Sequence, residues 1–194
     1  DEGDPYSKTR LEKSISNLKA MNIFNKVNYK ISDGSEPGLK AIDISIQEKP
    51  TGEITAGAGY GTEGGAFGFS IKENNYLGKG LKVSANADIT SQSIRGGINI
   101  VNPNYNYTGN KVYGGFYSKK TDKPSSGFEN KLINFNIGTE FEQYRDIYLA
   151  PDLSFTIDDL TVDGTASSQL KKQAGTFEDI TFGYAIKSDK RNRR

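Results

Sequence analysis

Three constellations in this chain have residue types and spacings that suit chemistry. Gly59, Gly61 and Gly64 stand as G-x-G-x-x-G after an alternating run, the spacing that lets backbone amides approach a pyrophosphate. That chemistry needs a helix next, with its first N–H groups turned to the phosphate, and the next residues, AFGFSIKE, alternate as a strand does. The glycines are therefore read as strand residues. Asp158, Asp159 and Asp163 offer carboxylates to calcium, but the D-x-D-x-D-G-x5-E order and its flanking helices are missing, which predicts a solvated loop. Ser125-Ser126 has no base beside it to activate a hydroxyl. With no histidine and no cysteine in the chain, zinc-finger, thiol, disulfide and histidine-based chemistry drop out. The expectation is a non-enzyme with no catalytic residue, no metal site and no cofactor.

The 194 residues suit one medium domain, or a small domain and part of a larger one. Basic residues number 25 and acidic ones 24, so no global basic field points to nucleic acid. The basic run Lys187 to Arg194 is read as a solvated chain end. The opening DEGDPYSK is polar, and a secretory leader is expected to be already removed or outside this sequence. No stretch approaches the roughly 18 apolar residues of a membrane helix. Strands need apolar residues only at alternate positions, so a bilayer role would be met by a barrel.

One helix is predicted, from about Ser7 to Met21, with Leu11, Ile15 and Leu18 on one face. Val27, Tyr29 and Ile31 then alternate, DGSEPG turns the chain, and Ile42, Ile44 and Ile46 alternate again. Residues 1–50 thus read as helix, strand, turn, strand, too small a core to stand alone.

From Thr51 the period becomes two. Eight strands are predicted at about 51–61, 66–76, 81–91, 94–102, 111–119, 128–141, 146–157 and 177–188, with Pro151 predicting a bulge or break in the seventh. Treated as a meander, the chain has its longest polar loop, Asp158 to Thr176, on one side and compact turns such as LGKG and EQYRD on the other. Tyr60, Tyr76, Tyr105, Tyr107, Tyr144 and Tyr148 fall near strand ends, where an aromatic girdle would sit. One face of the third and fourth strands carries Lys82, Ser84, Asn86, Asp88, Arg95 and Asn99 and suits a wet lumen. A soluble sandwich would show the same alternation with the meaning of its faces exchanged. The first of the eight strands is the barest. Ile54, Ala56, Ala58 and Tyr60 share one face, and Thr55, Gly57, Gly59 and Gly61 the other.

The runs KAMNIFNKVNYKI, IDISIQEKPTGEITAGAGYGTEGG, NNYLGKG and NIVNPNY, in this order, and the closing ITFGYAIKSDKRN resemble the BamA family of outer-membrane barrel assembly factors, across essentially the whole chain. The resemblance implies a mainly β protein: the C-terminal part of a POTRA domain (helix plus two strands) at 1–50, then the first eight antiparallel strands of a transmembrane β-barrel at 51–194. It also implies a fragment truncated at both ends, because the family's POTRA module has a further strand and helix and its barrel sixteen strands.

In that family the first barrel strand meets the last at a seam that parts, and its free edge templates an incoming client strand by backbone pairing, the β-augmentation mode. Carried over, this role falls on Thr51, Gly52, Glu53, Ile54, Thr55, Ala56, Gly57, Ala58, Gly59, Tyr60 and Gly61. A second edge is implied in the POTRA part at Lys26, Val27, Asn28, Tyr29, Lys30, Ile31 and Ser32. The implied partners are unfolded outer-membrane barrel proteins, accessory assembly lipoproteins and the lipid bilayer, with no nucleic acid. The implied location is the bacterial outer membrane, with the POTRA part in the periplasm. A two-partner secretion or TamA-like transporter, which shares the architecture, and a soluble β-rich binding domain are the alternatives.

Overall fold

A computed structural model describes residues 3–61 and 64–190. Thr62 and Glu63 of the TEGG turn, the first two residues and the end of the basic tail lie outside the described residues. The chain divides into two units, the first ending at Thr51 and the second spanning Gly52–Lys190.

The first unit opens with α1 (Lys8–Ala20). Ser7 caps it, its hydroxyl accepting from the Arg10 amide at 3.4 Å, which satisfies one of the donors a helix start leaves unpaired. Leu11 and Ile15, one helical turn apart, are buried against Val27 of β1 (Phe24–Asp33), with Leu18 and Phe24 at the margin. β1 pairs antiparallel with β2 (Lys40–Glu48), and a bulge between Phe24 and Lys26 sets its entry. The register places Val27, Tyr29 and Ile31 opposite Ile46, Ile44 and Ile42, so one face of this hairpin is apolar.

The second unit is an eight-stranded antiparallel meander: β3 (Gly52–Gly61), β4 (Gly64–Tyr76), β5 (Leu81–Thr90), β6 (Ser93–Tyr105), β7 (Asn110–Lys123), β8 (Phe128–Tyr144), β9 (Ile147–Val162) and β10 (Gly175–Ser188). Each strand pairs with its sequence neighbours, and β3 and β10 are the edges. Register joins the alternating residues into rows. One row runs Ile54, Ile71, Ala85, Ile98, Phe116, Phe135, Phe155, Ile180 and is apolar across all eight strands. The row beside it, on the other face, runs Thr55, Ser70, Asn86, Gly97, Tyr117, Asn134, Thr156, Asp179. The sheet is therefore two-faced along its whole width, and contacts within the apolar face include the tilted Phe116 and Phe135 rings, 4.9 Å apart.

Two hairpin turns repeat one device. In β4–β5 the Asn75 side chain accepts from the Gly80 amide at 2.8 Å, and in β6–β7 the Asn104 side chain accepts from the Gly109 amide at 2.8 Å. Leu77, Asn106 and Tyr107 take positive φ of 56°, 53° and 59° inside these loops. The asparagine amide stands in for a backbone partner and tightens the turn.

Several sequence expectations need correction. β9 passes through Pro151 without a break, and Pro151 keeps its register with Tyr184. Towards β8 the recorded pairs pass from Gly138–Asp152 to Phe141–Leu149 in unchanged register. Proline removes a donor there without displacing the strand; the bulge lies at Glu142/Tyr144. The loop expected from Asp158 begins only after Val162, since β9 continues, and it contains a second helix, α2 (Ser168–Gln173), capped by the Ser167 hydroxyl. The strands are also longer than alternation suggests, because polar pairs such as Thr121–Asn130 and Asp122–Glu129 extend the ladder beyond the apolar rows. Tyr148 pairs with Glu142 at a position that shares the parity of Asp152 and Ser154 on the polar face, apart from the other strand-end tyrosines.

Candidate functional site at the open edge of the sheet

β3 pairs with β4 alone among the described residues. Every second residue along it therefore directs its N–H and C=O to the open side. All ten residues of β3 are exposed, Ile54 at 70% and Tyr60 at 90%. Ten of the eleven positions expected at this edge, Gly52 to Gly61, lie within β3, and Thr51 precedes it.

Cross-strand support is thin on the polar side of the β3–β4 pair. Gly57 faces Gly68, Gly59 faces Ala66 and Gly61 faces Gly64. A Cβ added at Gly57, Gly59 or Gly61 would meet nothing within 4 Å. Glycine in a strand costs about 0.5–1 kcal/mol relative to alanine, and small pairs give up the side-chain contacts that stabilise a ladder. On the apolar side Ala56 and Ala58 face Phe69 and Phe67, so the rings belong to the inner strand and the small residues to the edge. β10, at the other edge, differs. Its apolar side carries Ile180, Phe182, Tyr184 and Ile186, each at least 67% exposed.

In the first unit, Lys26 to Ser32 all lie in β1, which pairs only with β2 among the described residues. The hairpin is tied at its turn by Lys40, which donates to Asp33. That hydrogen bond and the adjacent positive charge hold the Asp33 carboxyl below, and the Lys40 ammonium above, their ordinary ranges.

The remaining sequence candidates separate. Gly59 and Gly61 are in β3 and Gly64 opens β4, so no helix follows them. Asp158 and Asp159 fall on opposite faces of β9, accepting from the Asn130 amide and, at 2.9 Å, the Thr176 hydroxyl. Asp163 accepts from the Thr165 hydroxyl at 2.6 Å and its amide at 2.7 Å, which lowers its carboxyl pKa. Ser125 and Ser126 sit in a 3-10 turn, Pro124–Ser126.

Register also sorts charge on the polar face, a pattern that alternation alone does not show. β4–β7 place Lys72, Lys82, Arg95, Lys111, Lys119 and Lys123 there, with Asp88. β8–β10 place Glu140, Glu142, Asp152, Asp158 and Asp179 there, with Lys187.

An amphipathic antiparallel meander with one glycine-rich edge defines part of a β-barrel wall, preceded here by a small helix-and-hairpin unit. Two solved structures share this fold. The crystal structure of BamA from Haemophilus ducreyi lacking POTRA domains 1–3 matches with a TM-score of 0.71 at 19% identity, over 96% of this chain and 38% of that one. CdiB from Escherichia coli matches with a TM-score of 0.63 at 15% identity, over 97% of this chain and 38% of that one. The fold is BamA-like. In sequence, the chain is 33% identical over 98 residues to a Treponema pallidum (strain Nichols) protein assigned as an outer membrane protein assembly factor. That match covers 47% of this chain and 12% of the relative. No family model matches.

Proposed function

We propose that this chain is part of a protein that folds and inserts β-barrel proteins into a bacterial outer membrane. In this reading residues 1–50 are the C-terminal part of a periplasmic POTRA domain and residues 51–194 the N-terminal half of the barrel. The apolar rows face lipid and the polar rows face the lumen. β3 is the edge that receives an unfolded client strand, through backbone pairing rather than side-chain chemistry.

The observation that carries the proposal is the open β3 edge, bare of cross-strand side-chain support at Gly57, Gly59 and Gly61, on a sheet of BamA-like fold. A pairing edge must exchange partners, and weak cross-strand support lowers the cost of each exchange. Accessory lipoproteins are proposed to bind the first unit, whose β1 edge is also open.

The test is cysteine crosslinking in a complete homologue. Cysteines at the positions of Gly57 and Gly59 are expected to capture nascent barrel clients; capture no better than from the position of Asn99, on the polar face of β6, would reject the edge role. A related POTRA-barrel transporter is the second reading, because CdiB shares this fold over as much of the chain as BamA does. Capture of secreted substrates in place of barrel clients would favour it.

A further inference from the structure

Arg95 on β6 and Lys119 on β7 are direct cross-strand partners on the polar face. Like charges set opposite each other destabilise a ladder. Arg95 has an answer on its other side, where its guanidinium donates to its β5 partner Asp88 at 3.2 Å. Lys119 has none, for its β8 partner is Leu132 and it forms no ion pair among the described residues. The opposite face shows how this fold settles the same problem. Lys120 and Lys131 also stand directly opposite each other, and there Glu129 places one carboxylate oxygen 2.8 Å from Lys120 and the other 3.1 Å from Lys131. On the polar face no side chain supplies that carboxylate to Lys119.

A cleft of about 290 Å³ opens over this pair, lined also by Lys123, by the hydroxyls of Thr90, Ser93 and Thr121, and by the Asp88 carboxylate, which Arg95 engages. Cations and hydroxyls together form a donor-rich surface suited to oxyanions. The charge extends down the sheet through Lys72, Lys82 and Lys111, which makes a strip rather than a point. A single dissolved anion would need only the point. Lipid phosphates are kept away, because the sheet itself separates this face from the apolar one; that step rests on the barrel reading above.

We propose that the polar face of β5–β7 is a docking site for an acidic polypeptide segment, with a carboxylate seated between Arg95 and Lys119 in place of the missing internal one. The site is independent of the open edge and lies several strands from it.

The test uses the full chain in detergent micelles and a fluorescent decapeptide of alternating aspartate and glycine, read by anisotropy. The peptide is expected to bind, and high salt to weaken it. Lys119→Glu is expected to weaken binding about tenfold or more, while Lys119→Arg retains it and Lys172→Glu, on α2 outside the polar face, changes it less than about twofold. Lys119→Gln, which removes the charge without adding one, is expected to fall between and guards against a misfolded Lys119→Glu, with β-sheet circular dichroism checked for each. Equal binding by wild type, Lys119→Glu and Lys119→Gln overturns the site, as does an equal loss in Lys172→Glu. Binding of inorganic phosphate without binding of the peptide overturns the polypeptide occupant. Lys119-dependent binding to phosphatidylglycerol vesicles would instead show that the polar face meets lipid, a failure of the barrel reading distinct from peptide insensitivity.

Discussion

Lys187 on β10 donates to Glu140 on β8, reaching across the whole width of β9. On the strand between them Lys187 stands opposite Tyr148, and the next residue on the same face is the small, buried Ala150. Glu140 also holds Lys111 of β7 at 3.0 Å. One carboxylate thus links three strands, and it stands where the basic and acidic sectors of the polar face meet.

Removing this link should loosen the β10 edge. Glu140→Gln is expected to cost about 0.5–1 kcal/mol, the range for a partly exposed pair, and to speed amide exchange in β10 more than in β5. A double-mutant cycle with Lys187→Met should show coupling that fades with salt; additive effects would show that the link carries no energy.

Filling the bare edge should raise stability and lower function together. Gly57→Val and Gly59→Val enter open space, and each is expected to strengthen the β3–β4 pair by up to about 1 kcal/mol. If β3 exchanges partners, client assembly by a complete homologue carrying these changes should slow although its melting temperature rises. Faster assembly would contradict the proposed role.

Gly127 should tolerate nothing larger. It takes φ of 69°, and an added Cβ would lie 2.5 Å from Asp163 Oδ1 and 2.6 Å from the Ala166 amide nitrogen. Its carbonyl accepts from the Asp163 amide at 2.9 Å, tying the β7–β8 connection to the β9–β10 connection. Gly127→Ala combines a left-handed backbone penalty of about 1–2 kcal/mol with that clash. Faster proteolytic nicking after Val162 is the expected readout.

The Asp33–Lys40 pair predicts how the β1–β2 hairpin responds to pH. The Asp33 pKa is depressed on folding, so its contribution is present above the ordinary carboxylate range and is lost as pH falls through the folded value. The Lys40 pKa is raised, so its contribution is full below the ordinary lysine range and is lost as pH rises through its folded value. Both groups are exposed, and the effect should be small. The protection of the Ser32 and Ala41 amides, taken relative to their intrinsic exchange rates, should drop at acid pH in the native chain and show no such step in Asp33→Asn.

Much of this architecture is local and therefore legible in sequence. Ser7 followed by Leu11 and Ile15 marks a capped amphipathic helix within single turns, and period-two alternation from Ile54 onward marks the strands residue by residue. The glycines of β3 announce a weakly supported strand by composition alone. The helix α2 escaped detection because six residues with no buried member carry no apolar period to read. The passage of β9 through Pro151 escaped because only the neighbours of a strand decide whether a missing donor matters.

What the tertiary structure alone decided is which residues of different strands face one another. Alternation fixes the face of a side chain but not its cross-strand partner, since register depends on turn geometry and on ladders between residues distant in sequence. The apolar row from Ile54 to Ile180, the placing of Lys119 opposite Arg95, the division of charge between β4–β7 and β8–β10 and the open sides of β3 and β10 all follow from pairing. A chain can be read for what each strand is; only its folded sheet shows what each strand is beside.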